Sequence, residues 1–337
     1  METQVTPANE GIIRAAQLIR DGQLVAFPTE TVYGLGANAE DSEACGRIYW
    51  AKGRPHDNPL IVHVSQRDDL SDLMRGTIKA QAESLLKEFW PGPLTVVVSS
   101  GGHISSAALG GLDTVAVRCP SHPVAQKLLR LSGCPIAAPS ANLSGRPSPT
   151  TAEDVYEDMK GRIPLILDGG PAIVGVESTV VDLSREIPVL LRPGAVTLDQ
   201  LEHFLGPVML ADDSTPARSP GMKYRHYAPR SPVQWWDTDD VDQALAQWEK
   251  LGRSGRRYGL LASEAIGRAL RPALFYNLGD NDGAAAQNLF TGLRKLDRDQ
   301  PAAIIVVWKQ GTPLGAAIAN RLAKAAAPNS VGDDNDQ

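Results

Sequence analysis

Short apolar runs bounded by glycine, proline or polar residues recur along the first 195 residues, and they constrain the fold most. Such runs, rich in valine, isoleucine and leucine, are typical of buried strands. We predict strands at LVAFP (24–28), PLIVHVS (59–65), LTVVVSS (94–100), TVAVRCP (114–120), PIAAPS (135–140), IPLILDGG (163–170), STVVDLS (178–184) and PVLLRPG (188–194). Helical spacing predicts helices at 11–20, 42–51, 80–90, 122–131, 151–160 and 197–205. Strands outnumber helices, which favours a twisted, mixed sheet with flanking helices over a strict β-α-β repeat.

After residue 232 the pattern becomes regular, and each apolar run is followed by a helical pattern. Strands are predicted at VQWWD (233–237), RYGLLAS (257–263), LFYNL (274–278) and AAIIVVW (302–308), with helices at 240–251, 263–270, 284–297 and 314–326. Four strand–helix units predict a small Rossmann-like, parallel α/β domain. This part contains neither GxGxxG nor GxxxxGK[ST], so its sequence gives no support for nucleotide binding there.

A proline-rich stretch without an apolar period separates these two parts and predicts a linker or an ordered strap. The predicted organisation is an N-terminal domain at 1–206, a strap at 207–232 and a C-terminal domain at 233–327. The polar residues 328–337 are predicted to be a disordered tail.

Charge and cysteine content restrict the class of function. The net charge of −6 argues against a general nucleic-acid coat or an anionic membrane surface as partner. Cys45, Cys119 and Cys134 form no CxxC pair, which argues against zinc and a disulfide framework. No signal peptide or membrane span is visible, so we expect a reduced, cytoplasmic protein.

Two motifs before the second strand offer groups for an anionic ligand. PTETVYGLG (28–36) combines hydroxyls with glycines that allow close backbone approach, although a turn with capping threonines fits equally well. In KGRPHDNP (52–59), a stiff bend holds Lys52 and Arg54 so that they can converge on a polyphosphate. The alternative interpretation is that Lys52 and Arg54 lie on a solvated surface and bind no ligand.

Further polar residues lie in or beside apolar strands. Arg118 needs either a structural carboxylate or an anionic ligand, and Arg192 ends a later strand in the same way. Its apolar neighbours in LIVHV alone predict that His63 is a core residue. APSANLSGRPSPTT (138–151) leads into a helix whose N-terminus is suited to anions, although ordinary capping by Thr151 also explains it.

No nucleophile paired with a base is evident, since GxSxG, HExxH and a Cys-His dyad are all missing from the sequence. A site made of cations, hydroxyls and glycines suits phosphoryl or nucleotidyl transfer, where positioning and charge stabilisation dominate.

The ordered motifs PTETVYGLG, KGRPxxNPLIVHV, PGPLTVVV, PSAN, ESTVVD and LLRPG resemble those of the YrdC-like threonylcarbamoyl-AMP synthases. The resemblance covers residues 11–196 densely. The strap SPGMKYRHYAP and the C-terminal domain resemble the longer, two-domain form. The resemblance implies that the protein condenses L-threonine, bicarbonate or CO2, and ATP into threonylcarbamoyl-AMP and pyrophosphate. The product would serve threonylcarbamoyladenosine modification of tRNA.

The resemblance also assigns roles to residues. The family's KxR and SxN motifs correspond to Lys52, Arg54, Ser140 and Asn142. L-Threonine would contact Thr31, His63, Arg118, Ala138 and Ser178. ATP or the adenylate would contact Arg54, Asn58, Thr114, Ser140, Ser148, Arg192, Tyr224 and Tyr227. Tyr224, His226 and Tyr227 would form a lid. Mg²⁺ would be held by the ATP phosphates rather than by the protein, and the product would pass to transfer machinery acting on tRNA.

Three alternatives remain at this stage. An RNA-binding module fits the local cations but not the net charge or the lack of interleaved aromatics, so direct tRNA binding is expected to be weak. The related hydrogenase-maturation carbamoyltransferases carry cysteine-rich segments, unlike this chain. A non-catalytic scaffold would not explain the motif set. For the C-terminal domain we expect gating of the strap.

Overall fold

A computed structural model describes residues 1–212, 226–311 and 314–327, which form two sheets with helices packed against them. The large sheet has 11 strands. They are β1 (Gln4–Pro7), β2 (Val25–Phe27), β3 (Gly34–Asn38), β4 (Ile61–His63), β5 (Leu94–Ser99), β6 (Thr114–Arg118), β7 (Ile136–Ala137), β8 (Leu165–Asp168), β9 (Thr179–Asp182), β10 (Val189–Arg192) and β11 (Met209–Leu210).

Helices cover this sheet and follow local capping signals. They are α1 (Ala8–Arg20), α2 (Ser42–Lys52), α3 (Leu70–Leu73), α4 (Ala80–Phe89), α5 (Ser106–Leu109), α6 (Pro123–Ser132), α7 (Ala152–Met159) and α8 (Leu198–Leu205). Asp41 accepts hydrogen bonds from the first amides of α2, and Thr151 accepts one from Asp154 at the start of α7. The six predicted helices of this region are therefore confirmed.

The strand order is β1-β8-β2-β3-β7-β4-β6-β5-β9-β10-β11, with parallel and antiparallel pairs. This confirms the predicted mixed sheet. The parallel β4–β6 pair sets His63 directly opposite Arg118. The antiparallel β9–β10 pair shifts register between Leu190 and Arg192. The order thus gathers the ends of β4, β6, β9 and β10 in one region, although they are distant in sequence.

The C-terminal unit (residues 233–327) is a separate parallel sheet of order β12-β15-β13-β14. Its strands are β12 (Val233–Trp236), β13 (Gly259–Ala262), β14 (Leu274–Asn277) and β15 (Ile304–Val307), and its helices are α9 (Val241–Gly252), α10 (Glu264–Leu270), α11 (Asp282–Arg298) and α12 (Gly315–Ala326). The Rossmann-like prediction is confirmed, since every pair in this sheet is parallel.

The C-terminal unit packs on the first unit through buried polar contacts as well as apolar ones. Arg294 of α11 forms an ion pair with Asp158 of α7 at 2.7 Å, and both side chains are almost fully buried. The Thr150 and Thr291 hydroxyls lie 2.7 Å apart across the same boundary. A Cβ at Gly175 would lie 2.3 Å from the Gln287 Cα, so glycine is required for this approach.

Three strands were not predicted. Edge strands β1 and β11 are short and largely exposed: β1 has a single large apolar residue, Val5, and β11 is only two residues long. Strand β3 lies in the glycine-rich motif interpreted as a turn, and it forms because β2 and β7 pair with it on either side. Strand β11 falls within the segment assigned to the strap, and the domain boundaries stay predictions. The tail prediction at 328–337 lies outside the described residues, and no helix within the described ranges is long and apolar enough to cross a membrane.

Candidate active site

A small cavity of about 50 Å³ collects side chains from the ends of several strands of the large sheet. Its lining includes these predicted residues: Thr31, Arg54, His63, Arg118, Ala138, Ser140, Asn142, Ser148, Ser178, Arg192, His226 and Tyr227. Lys52, Asn58 and Thr114 are buried but do not line the cavity. Tyr224 lies outside the described residues. The fold thus brings most of the separate motifs to one place.

Lys52 supports the cavity from behind its wall. Helix α2 ends at Gly53, which adopts the left-handed conformation with φ 60°. Lys52 Nζ then donates hydrogen bonds to the carbonyl oxygens of Ser140 at 2.5 Å and Asn142 at 2.6 Å. Burial, and next the charge of Arg54, hold the pKa of Lys52 well below its ordinary value. The ammonium therefore fixes the loop that carries the SxN motif, while its predicted contact with ATP stays a prediction.

Arg54 faces the cavity from the KGRP bend. Its guanidinium donates to the carbonyl oxygens of Asn58 and Pro59, at 3.0 to 3.4 Å. Burial lowers its pKa to about 10, which leaves the side chain cationic at neutral pH. A buried cation bonded to neutral carbonyls presents positive charge to an incoming anion.

Ser140 and Asn142 are locked to each other on the neighbouring loop. Ser140 Oγ donates to Asn142 Oδ1 at 2.5 Å, and Asn142 Nδ2 donates to the carbonyls of Leu143 and Arg146. Both side chains are thereby held in one rotamer beside Arg54. The structure brings Arg54, Ser140 and Asn142 together as the motif pairing predicted.

Arg118 has a structural partner that the sequence analysis did not identify. Its Nη2 lies 2.7 Å from Glu30 Oε1, its Nη1 donates to Thr31 Oγ1 at 2.8 Å, and both ion-pair side chains are at most 5% exposed. Burial acts to raise the pKa of Glu30, but the charge and hydrogen bonding of Arg118 bring it below the ordinary value. The structural salt bridge left open from the sequence is therefore present, and Arg118 also lines the cavity.

Arg192 and Ser178 meet in another part of the cavity lining. Arg192 Nε donates to the Ser178 carbonyl at 3.0 Å, and Arg192 Nη2 lies 3.1 Å from Ser178 Oγ. The same hydroxyl is 2.7 Å from Thr95 Oγ1. Three arginines, Arg54, Arg118 and Arg192, thus surround one cavity in an acidic protein, which is the arrangement expected for an anionic ligand.

His226 and Tyr227 of the strap complete the lining. Tyr227 has φ 68°, a left-handed conformation that costs about 1 kcal/mol or more for a residue with a Cβ. Its ring stacks on Phe290 of the C-terminal unit at 5.3 Å, and its neighbour Ala228 donates to the Gly145 carbonyl. Residues 226–228 therefore contact both units and reach the cavity.

Known proteins with similar sequences cover nearly the whole chain. The family described as "Telomere recombination" matches residues 17–194, and "Threonylcarbamoyl-AMP synthase, C-terminal domain" matches residues 196–327. The chain is 47% identical to the threonylcarbamoyl-AMP synthase of Pyrococcus abyssi over 92% of each chain. It is 46% identical to that of Bacillus subtilis over 94% of this chain and 92% of the relative.

The chain belongs to the threonylcarbamoyl-AMP synthase family.

A solved structure agrees with this assignment across both units. The crystal structure of P. abyssi Sua5 complexed with L-threonine matches with a TM-score of 0.88 and 44% identity, covering 96% of each chain. The predicted fold of this threonylcarbamoyl-AMP synthase family member, a mixed sheet followed by a Rossmann-like unit, is therefore confirmed across both units.

Two carboxylates of this family member escaped the sequence analysis as site residues, namely Glu30 and Glu177. Glu177 lines the cavity and accepts a hydrogen bond from Ser148 Oγ, and its other oxygen lies 3.0 Å from Arg321. The sequence signal that could have identified them is that each glutamate lies in a motif that also contributes cavity residues, PTETVYGLG for Glu30 and ESTVVD for Glu177. Their arginine partners lie 88 and 144 positions away, so no local pattern shows the pairing.

His63 of this family member is buried as a neutral imidazole. Burial, and next the charge of Arg118, lower its pKa to about 3, against the opposing charge of Glu30. Below about pH 6.5 this histidine binds a proton in the unfolded chain but stays neutral in the folded one. The free energy of unfolding therefore decreases as the pH is lowered from about 6.5 to about 3. The wild-type protein should lose unfolding free energy when the pH is lowered from about 7.5 to about 5. In His63→Asn we expect this loss to be smaller by about 2 kcal/mol.

Urea unfolding of both proteins at the two pH values measures this difference. The control is His103→Asn, which makes the same change of residue type at an exposed position. An identical pH dependence in wild type and His63→Asn would contradict the buried, neutral imidazole.

Proposed function

We propose that this chain is an L-threonylcarbamoyladenylate synthase that condenses L-threonine, bicarbonate or CO2, and ATP into threonylcarbamoyl-AMP and pyrophosphate. The observation that carries the proposal is the placement of Arg54, Arg118 and Arg192 around one cavity beside the locked Ser140–Asn142 pair. The name of the relatives and the threonine bound in the P. abyssi structure support the same reaction.

The chemistry needs no covalent nucleophile from the protein. Threonine and bicarbonate give the N-carboxylated amino acid and water. An oxygen of this carbamate attacks the α-phosphorus of ATP, the bond from that phosphorus to the bridging oxygen breaks, and pyrophosphate leaves. The protein contributes orientation and fixed positive charge where negative charge moves between phosphates. Arg54 and Arg192, with the Ser140 and Ser148 hydroxyls, form the proposed nucleotide subsite.

The threonine subsite is proposed at the Arg118 wall. Arg118 would bind the amino-acid carboxylate with donor hydrogens that Glu30 and Thr31 leave available, since each terminal guanidinium nitrogen carries two. Neutral His63 can exchange hydrogen bonds with the ligand without adding charge. Thr31, Ala138 and Ser178 shape the remaining wall.

Mg²⁺ is proposed to enter with the ATP phosphates. Among the described residues, no group of three or more His, Cys, Asp or Glu side chains is placed to hold a metal ion. When bound with ATP, Mg²⁺ would neutralise phosphate charge. Glu177, the one carboxylate among the described lining residues, is already engaged by Arg321 and Ser148.

The strap is proposed to act as a lid over ATP. The cavity of about 50 Å³ is far smaller than the roughly 300–1,000 Å³ of typical small-molecule sites, so we expect its wall to move when the nucleotide binds. His226 and Tyr227 form the part of that wall that is contributed by a connecting segment. Gating through the C-terminal unit, a cytoplasmic location and delivery to transfer machinery acting on tRNA belong to the same proposal.

The decisive experiment measures pyrophosphate release from ATP while threonine and bicarbonate are omitted in turn. We expect release to require both, and to fall about 100-fold in Arg54→Ala because fixed charge at the phosphates is lost. The exposed Arg75→Ala is the control and should retain wild-type release. Release without threonine would contradict the synthase, and absent release with RNA binding that weakens steeply in salt would favour the RNA-binding module.

A further inference from the structure

Arg321 is an arginine of the C-terminal unit that reaches the cavity wall of the other unit. It lies on α12, and its side chain is 0% exposed. Its Nε donates to Glu177 Oε2 at 3.0 Å, and its two Nη atoms donate to the carbonyl oxygens of Pro193 and Glu177. A buried arginine with this many donors satisfied is held in one geometry.

Glu177, the partner of Arg321, lies in the cavity wall beside a predicted nucleotide contact. Its Oε1 accepts a hydrogen bond from Ser148 Oγ. Burial acts to raise the pKa of Glu177, but the charges of Arg321 and then Arg192 bring it below its ordinary value. A carboxylate therefore remains ionised in a cavity that must receive a polyanion, and it does so because Arg321 compensates its charge.

The backbone contacts of Arg321 bear on two further cavity residues. Pro193 directly follows Arg192, and Glu177 directly precedes Ser178. By holding both carbonyls, one guanidinium fixes the two chain segments on which Arg192 and Ser178 meet. The Arg321 guanidinium carbon also lies 5.7 Å from the centre of the Tyr227 ring, which is within cation–π range.

We propose that Arg321 is a positioning residue of the nucleotide subsite, through which the C-terminal unit completes the active site of the other unit. Its guanidinium neutralises Glu177 and holds the segments bearing Arg192 and Ser178 in register. The inference rests on the proposed function, since it assumes that the cavity takes ATP. It assigns to the C-terminal unit a direct electrostatic contribution to nucleotide binding.

The variant Arg321→Gln tests this role. It leaves the Glu177 carboxylate buried beside the ATP phosphates without its charge partner, so we expect the ATP dissociation constant and KM to rise about 10-fold or more. The threonine KM should change less, since the charge that Arg321 compensates lies beside the predicted nucleotide contact Ser148, whereas the proposed carboxylate partner, Arg118, is paired with Glu30. Because the repulsion comes from Glu177, the double variant Arg321→Gln/Glu177→Gln should recover about half or more of the lost affinity on a logarithmic scale.

The matched control is Arg298→Gln, which removes ion pairs to Glu153 and Glu157 at the exposed rim of the same boundary between units. It should keep the wild-type ATP KM. Arg321→Lys keeps the charge without the fork and should fall between wild type and Arg321→Gln. If Arg321→Gln does not fold, the double variant Arg321→Gln/Glu177→Gln is compared with Glu177→Gln instead. The double variant buries neither charge of this pair. It should still bind ATP more weakly than Glu177→Gln, because the hydrogen bonds from Arg321 to the two backbone carbonyls are missing.

Equilibrium dialysis with ATP and pyrophosphate-release kinetics separate the possible failures. Wild-type ATP affinity in Arg321→Gln would overturn the inference, as would a double variant as impaired as the single one. Wild-type protein that binds ATP but releases no pyrophosphate with threonine and bicarbonate would overturn the proposed function alone. Wild-type protein that does not bind ATP would overturn both.

Discussion

Replacing Arg118 with methionine is expected to lower the free energy of unfolding by about 3–5 kcal/mol and to raise the threonine KM by about 100-fold. The stability loss arises because Glu30, which is 3% exposed in its side chain, keeps its charge but loses its ion-pair partner at 2.7 Å. The KM change corresponds to about 2.7 kcal/mol, which is in the range of a lost charge-assisted hydrogen bond to a carboxylate.

The double variant Arg118→Met/Glu30→Gln separates the two effects. Removing the second charge relieves the uncompensated burial, so most of the stability should return. Threonine binding should not return, because the group proposed to contact the carboxylate is still absent. Urea unfolding and threonine titration of the pyrophosphate-release rate measure the two quantities.

Arg130→Met, on the exposed surface of α6, controls for the change of residue type. The expectation fails if the single and double variants lose equal stability. It also fails if the double variant recovers threonine binding, since that would place the carboxylate contact elsewhere.

Replacing Lys52 with methionine is expected to lower kcat for pyrophosphate release by about 100-fold, while ATP affinity changes by less than about 5-fold. The physical reason is that the ammonium is already committed to the Ser140 and Asn142 carbonyls. Its loss releases the loop that carries both side chains, and misplacement of catalytic groups by about 1 Å can cost this much rate. The two carbonyls would also lose their buried donor.

Equilibrium ATP binding and single-turnover release distinguish this positioning role from a direct phosphate contact. Direct contact by Lys52, as the motif alone suggests, would raise the ATP dissociation constant about as much as it lowers the rate. Lys127→Met, an exposed lysine of α6, is the control and should match wild type. Unchanged kcat together with unchanged ATP affinity in Lys52→Met would rule out both roles.

The elements that sequence patterns identified are those fixed by local forces. Helix α2 lies where it was predicted, at 42–51, because the Asp41 side-chain cap and the left-handed Gly53 that bound it act within one turn. The parallel C-terminal sheet follows from four apolar runs alternating with helical ones. The pocket membership of Arg54, Ser140 and Asn142 was also anticipated, because their motifs resemble those of a known family.

The sequence by itself determined eight strands of the large sheet, the four strands of the small one, the longer helices and the chemical types of the side chains available for an anionic ligand. Tertiary structure alone decided the partners: Lys52 with carbonyls 88 and 90 positions away, Arg118 with Glu30, and Arg321 with Glu177 across 144 positions. The physical reason is that hydrogen-bond caps and apolar periodicity act over a few residues, whereas a buried charge takes whichever opposite group the strand order and unit packing bring within about 3 Å.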